Sequence, residues 1–141
     1  MPRQGETINE AVVPVLETLV EVIGSAEHPV RDITIKGLTF SHTTWMRPSE
    51  KGHVPLQAGM YLKEAYKLRP QIDRPNNHKL DNQGWLGRAD AAVEVRYAED
   101  INFNGCRFEH LGGSGLDYML ACRRGTITNC TFTDIAMNGY I

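Results

Sequence analysis

A chain of 141 residues, 41% apolar and with a formal net charge of −2, is sized for one domain with a core of its own. Its pI of about 6.2 removes any electrostatic case for nucleic acid or an anionic membrane as partner, and no apolar run approaches the eighteen or so residues of a membrane span. The three cysteines are too few for a disulfide scaffold, and the opening MPRQGETINE lacks the basic-then-apolar layout of a secretory signal.

In chain order, Thr7 to Ile23 fits two patterns. Ile8, Ala11, Val12, Val15, Leu16, Leu19, Val20 and Ile23 follow helical spacing. Pro14 and the run of valines argue against a helix, and Leu19-Val20-Glu21-Val22 alternates like a strand before Gly24-Ser25 turns. The strand is taken to open the first coil, with a capping helix as the alternative. His28 to Asp32 connects to Ile33–Phe40, the first full copy of a pattern that returns later. After Thr43 the pattern breaks, and residues 44–90 are expected to form a long irregular insertion, with Gly59 to Leu62 as a candidate brief strand. Such insertions in compact domains tend to carry function. Ala91-Ala92-Val93-Glu94-Val95 then resumes the pattern.

The strongest signal lies between Ile101 and Ile141. FNGCRFEHLGGSGL (103–116) and ITNCTFTDIAMNGY (127–140) align without a gap, so that Cys106 falls on Cys130 and Phe108 on Phe132, and IKGLTFSHT (35–43) is a third copy. A fixed period in the low twenties, built of short apolar pairs and turn residues, predicts stacked strands that bury nothing singly. The turns read Lys36-Gly37, Asn104-Gly105 and Thr128-Asn129, whose second members enter left-handed backbone conformation most cheaply. Ile35 and Leu38, Phe103 and Cys106, and Ile127 and Cys130 should point inward around them. The expected fold is therefore all-β: a right-handed single-stranded parallel β-helix of about three coils with one long insertion, filling 1–141 as a single partial domain. An antiparallel meander is the alternative, although hairpin loops seldom repeat in length. Cys106 and Cys130 should stack within disulfide range, as two inert thiols or as a bridge. The chain stops at Gly139-Tyr140-Ile141 in mid-coil, which suggests a piece of a longer protein able to self-associate through uncapped ends.

LETLVEVIGS, PVRDITIKGLTFSHTTWMRPS, GHVPLQAGMY, CRFEHLGGSGL and FTDIAMNGY together resemble the right-handed parallel β-helix proteins of the pectate-lyase-like superfamily. The resemblance covers about residues 14 to 141 and is closest to large secreted carbohydrate-active members, many of them glycoside hydrolases. It implies an extracellular or periplasmic parent acting on an oligo- or polysaccharide.

The repeat register also lines up acids. Glu21, Glu94 and Asp117 share one strand position and should point outward, with Glu94 and Asp117 on neighbouring strands about 5 Å apart. That spacing suits the acid and nucleophile of a retaining glycosidase. Asp117 and Glu94 are thus the candidate catalytic pair, although solvated outward acids would give the same pattern. His42, His110 and Asp134 form a second ladder, suited to acid–base work or to capping turns. Trp45, Tyr61 and Trp85 are candidate sugar-stacking surfaces, with His42, His110 and Arg96 as polar substrate contacts. No metal or cofactor is expected. Two further alternatives are a non-catalytic carbohydrate-binding or structural segment and a calcium-dependent lyase, the latter without a dense aspartate cluster to support it.

Overall fold

The computed structural model describes residues 11–53, 60–62 and 86–141. It is almost entirely β, built from three parallel sheets, with one short helix among the described residues. The elements are β1 (Val20–Ile23), β2 (Val30–Lys36), β3 (Thr39–Thr43), α1 (Arg47–Lys51), β4 (Met60–Leu62), β5 (Leu86–Arg88), β6 (Ala91–Arg96), β7 (Ala98–Asn104), β8 (Arg107–Leu111), β9 (Ser114–Leu120), β10 (Thr126–Thr128) and β11 (Thr131–Ile135). The sheets run β1-β6-β9, β10-β7-β2 and β11-β8-β3, so the chain visits them in the same rotation each time. β4 and β5 stand apart as an antiparallel pair.

The register follows the sequence alignment residue for residue. Phe40, Phe108 and Phe132 are lateral partners, as are Ile35, Phe103 and Ile127. Their stacked rings run through the interior, Phe40 to Phe108 at 4.9 Å and Phe108 to Phe132 at 4.6 Å between centroids. Cys106 donates its backbone N–H to Cys130 Sγ at 3.4 Å, and all three cysteines are free thiols. The meander alternative is thereby excluded for these strands, whose pairing is parallel throughout.

The bends are made by residues in left-handed conformation, stacked one above another. Gly37, Gly105 and Asn129 adopt φ of 67°, 63° and 53°. Further columns do the same without glycine: Asp32, Asp100 and Arg124 at φ 57°, 57° and 55°, His42, His110 and Asp134 at 61°, 55° and 50°, and Tyr97 with Ala121 at 47° and 52°. Asp, Asn and His are the non-glycine residues that tolerate this region best. Arg124 takes the strained conformation within a column whose other members fix the path of the bend.

The core is densest in the middle strands. Val93, Val95, Phe103, Phe108 and Leu116 are fully buried, whereas Ile127 on β10, Phe132 and Ile135 on β11, and Cys130 between the two strands are only partly covered. Leu38, expected inward, is instead 53% exposed. It sits on the outer side of Cys106 in its column, and no strand among the described residues covers that end. The helix reading of the N-terminal stretch also fails where it can be judged: residues 11–19 are irregular and Val20–Ile23 is a strand. The insertion is less irregular than expected, since it contains α1 and the β4–β5 pair.

Candidate active site

The sheet β1-β6-β9 places the acids where the repeat predicts them: Glu21 pairs in register with Glu94, and Glu94 with Asp117. Alternation puts Val93 and Val95, and Leu116, into the core, and the acids therefore project from the opposite face. Glu21, on the edge strand β1, is exposed, whereas Glu94 and Asp117 are covered, and the expectation of solvated acids is corrected for these two. Glu94 is 6% and Asp117 1% exposed. Part of the cover comes from the end of the insertion, because Arg88 on β5 sets Nη2 2.8 Å from Asp117 Oδ1. The contact is an ion pair, and Oδ1 and Arg88 Nε have no hydrogen-bond partners. Glu94 is held by Arg96, two residues on along the same strand face. Arg96 also lays its Nε 3.2 Å from Met119 Sδ on β9, which bridges the two strands carrying the acids.

Burial dominates the electrostatics. It raises the pKa of Asp117 from 3.8 to about 6; Arg88 opposes the rise, Glu94 adds to it and Arg96 opposes it. Asp90, at the mouth of β6, is raised for the same reason, with Glu17 and Glu94 adding repulsion. A carboxyl that titrates near neutrality beside an ion-paired carboxylate is the asymmetry that acid–base chemistry with two carboxylates needs. Among the described residues no group of three or more His, Cys, Asp or Glu side chains is placed to hold a metal ion.

Trp45 and Tyr61 lie beside this face but not as open platforms. They are 9% and 7% exposed and pack with Ala89 and Met137 into a small second core. Their rings sit 5.5 Å apart, His53 contacts both, and the Arg47 guanidinium lies 4.4 Å above the Tyr61 ring. The faces expected to stack on sugar are thus in contact with protein. Trp85 lies outside the described residues.

The second ladder forms as well. The rings of His42 and His110 stack at 5.3 Å, and His110 Nδ1 lies 2.6 Å from Asp134 Oδ2. All three are exposed and lie on a different sheet from Glu94 and Asp117, so the structure does not bring His42 and His110 to the buried acids. A third ladder went unread in the sequence. Arg124 donates to both carboxylate oxygens of Asp100, at 2.9 and 2.7 Å, and to Glu99 at 2.9 Å. This holds the Asp100 carboxyl below its ordinary range. The signal was available, since Asp100 and Arg124 stand at the same offset as Phe108 and Phe132.

No protein-family model matches the chain, and no curated protein does. A solved structure named "Glycoside hydrolase" superposes with a TM-score of 0.82 at 55% sequence identity, covering 99% of this chain and 24% of that one. The chain therefore spans about a quarter of that protein's length. Over nearly its whole extent, it is similar to one part of a glycoside hydrolase.

Proposed function

We propose that the chain is a segment of a right-handed parallel β-helix of the pectate-lyase-like superfamily, and that it forms part of a glycoside hydrolase cleaving an oligo- or polysaccharide outside the cytoplasm. The observation that carries this reading is the 55% identity to a protein of that name across 99% of the chain. The lateral pairing of Glu94 with Asp117 supports a site on the β1-β6-β9 sheet. Asp117, with its pKa near 6, would protonate the glycosidic oxygen as the bond to the anomeric carbon breaks. Glu94 would supply the carboxylate that attacks that carbon, and water would then release the sugar with Asp117 taking the proton back. Adjacent parallel strands lie about 4.8 Å apart, close to the separation of about 5 to 5.5 Å used by retaining enzymes.

One observation favours a second reading. Asp117 is 1% exposed and faces Arg88, so sugar reaches it only if that ion pair opens. With that pair closed, the segment would be a structural or sugar-binding part of its parent, and Asp117 a buried ion pair. Reducing-sugar release from a panel of polysaccharides, with Asp117→Asn alongside, separates the two. Hydrolysis that Asn abolishes supports the first reading; undiminished hydrolysis in the variant removes Asp117 from the chemistry. Glycan binding without turnover, insensitive to the substitution, supports the second.

A further inference from the structure

We propose that Met119 and Arg96 are positioning residues for the hydrolysis proposed above: an extra residue in β9 aims the Met119 thioether at Arg96, and Arg96 fixes the Glu94 carboxylate for attack. This role rests on Glu94 being the attacking carboxylate. The repeat changes length beside the acids. Glu94 with Asp117, and Val95 with Tyr118, are partners 23 residues apart, whereas Arg96 partners Leu120, 24 residues on. The longer spacing is kept at Phe103 with Ile127 and at Phe108 with Phe132. The register shifts between Val95 and Arg96, so Met119 is an extra residue in β9 without a partner in β6. An inserted residue of this kind bends its strand and re-aims a side chain, and such bulges gather beside active sites.

The contacts made at the bulge lead to Glu94. Arg96 Nε donates to Met119 Sδ at 3.2 Å, across the two strands, and Arg96 Nη2 donates to Glu94 Oε2 on its own strand. A guanidinium presents its donors in a rigid planar fork, so fixing Nε also fixes the direction of Nη2. A thioether is a weak acceptor, so it steers the guanidinium while the acids hold it. The hydrogen bond to Glu94 is the largest influence on Arg96; burial opposes it, and the charges of Glu94, Glu21 and Asp117 add to it. The Glu94 side chain is 7% exposed and that of Arg96 37%, so a buried carboxylate is anchored by a more open cation. With Oε2 anchored, Oε1 is the oxygen that forms the bond to the anomeric carbon. The bond to the leaving oxygen breaks, and that oxygen takes the proton of Asp117.

Met119→Leu keeps the side-chain volume and removes the acceptor. Nitrogen-15 NMR of the 141-residue chain reads the Arg96 Nε–H, whose exchange with water should be severalfold faster in Met119→Leu than in the wild type, with an unchanged circular dichroism spectrum. On a polysaccharide that the wild type hydrolyses, Arg96→Met should lower kcat about 100-fold and Met119→Leu about tenfold, with KM little changed. Arg96→Lys keeps the charge without the fork and should recover only part of the loss. Exchange that is alike in the wild type and Met119→Leu overturns the positioning role and leaves the hydrolysis standing; so do variants that change KM and leave kcat alone. A wild type that hydrolyses nothing removes the reading of Glu94, and this role with it.

Discussion

Replacing Asp117 by Asn should make the protein more stable at neutral pH and remove part of its pH dependence. The carboxyl is 1% exposed, and burial lifts its pKa from 3.8 to about 6. A rise of about two pH units corresponds to about 3 kcal/mol, at about 1.4 kcal/mol per unit. The sign follows from proton binding. Between about pH 4 and about pH 6 the folded chain holds a proton on Asp117 that the unfolded chain has released. Stability therefore falls as pH rises through that window, and the whole penalty is present above it. Asn carries no charge to bury, yet it leaves Arg88 without its counterion, and Arg88 is 27% exposed and partly solvated. The net gain at pH 8 should thus be about 1–3 kcal/mol, shrinking to zero or reversing at about pH 4. Urea denaturation of both proteins at about pH 4, 5, 6 and 8 reads this as a difference of differences, in which the titration of Asp90 and of exposed groups cancels. A gap between the two proteins that stays constant with pH would refute the reasoning, because it would mean that Asp117 titrates alike folded and unfolded.

Three other substitutions probe neighbouring parts of the account. Arg88→Met should push the Asp117 carboxyl above its present value of about 6, followed by carbon-detected NMR titration, and lower stability at pH 8 by about 1–3 kcal/mol; a pKa that moves down contradicts the ion pair. Phe108→Ala, at a fully buried ring stacked on both sides, should lose about 3–5 kcal/mol in urea denaturation, whereas Phe132→Ala at the partly covered edge should lose about half as much; the reverse order contradicts the placing of the core. Gly113→Ala would put a methyl 2.1 Å from the Asp90 carbonyl oxygen and should cost more than about 2 kcal/mol, while Gly105→Ala, at φ 63° with open space around it, should cost about 1 kcal/mol. Equal melting temperatures for these two variants contradict the packing of β9 on the end of the insertion.

The periodic part of the chain was legible and the aperiodic part was not, for a physical reason. Where the chain returns to the same sheet after nearly the same number of residues, 24 from Phe108 to Phe132 and 23 from Glu94 to Asp117, sequence offset becomes lateral position. The pairings Phe108 with Phe132 and Glu94 with Asp117 are therefore legible in the sequence itself. The bends at Gly37, Gly105 and Asn129 were legible because few residues accept positive φ. The equivalent role of His42, His110 and Asp134 was obscured because the same side chains also suit catalysis. Residues 44–90 break the period, so nothing in their spacing says where they land. Arg88 is distant in sequence from Asp117, and only the folding of β5 onto β9 reveals that the acid is shielded. The same blind spot turned Trp45 and Tyr61 from expected sugar platforms into a second core.

The account rests on strands from successive passes lying side by side, which carries Glu94 to Asp117. Nuclear Overhauser spectroscopy on the isotope-labelled chain measures this directly. Inter-strand amide contacts of the parallel type should connect Glu94 with Asp117, and Phe108 with Phe132, together with ring contacts between the two phenylalanines. Cross-peaks of the antiparallel pattern, or none between these pairs in a folded sample, would contradict the pairing and the sugar chemistry built upon it.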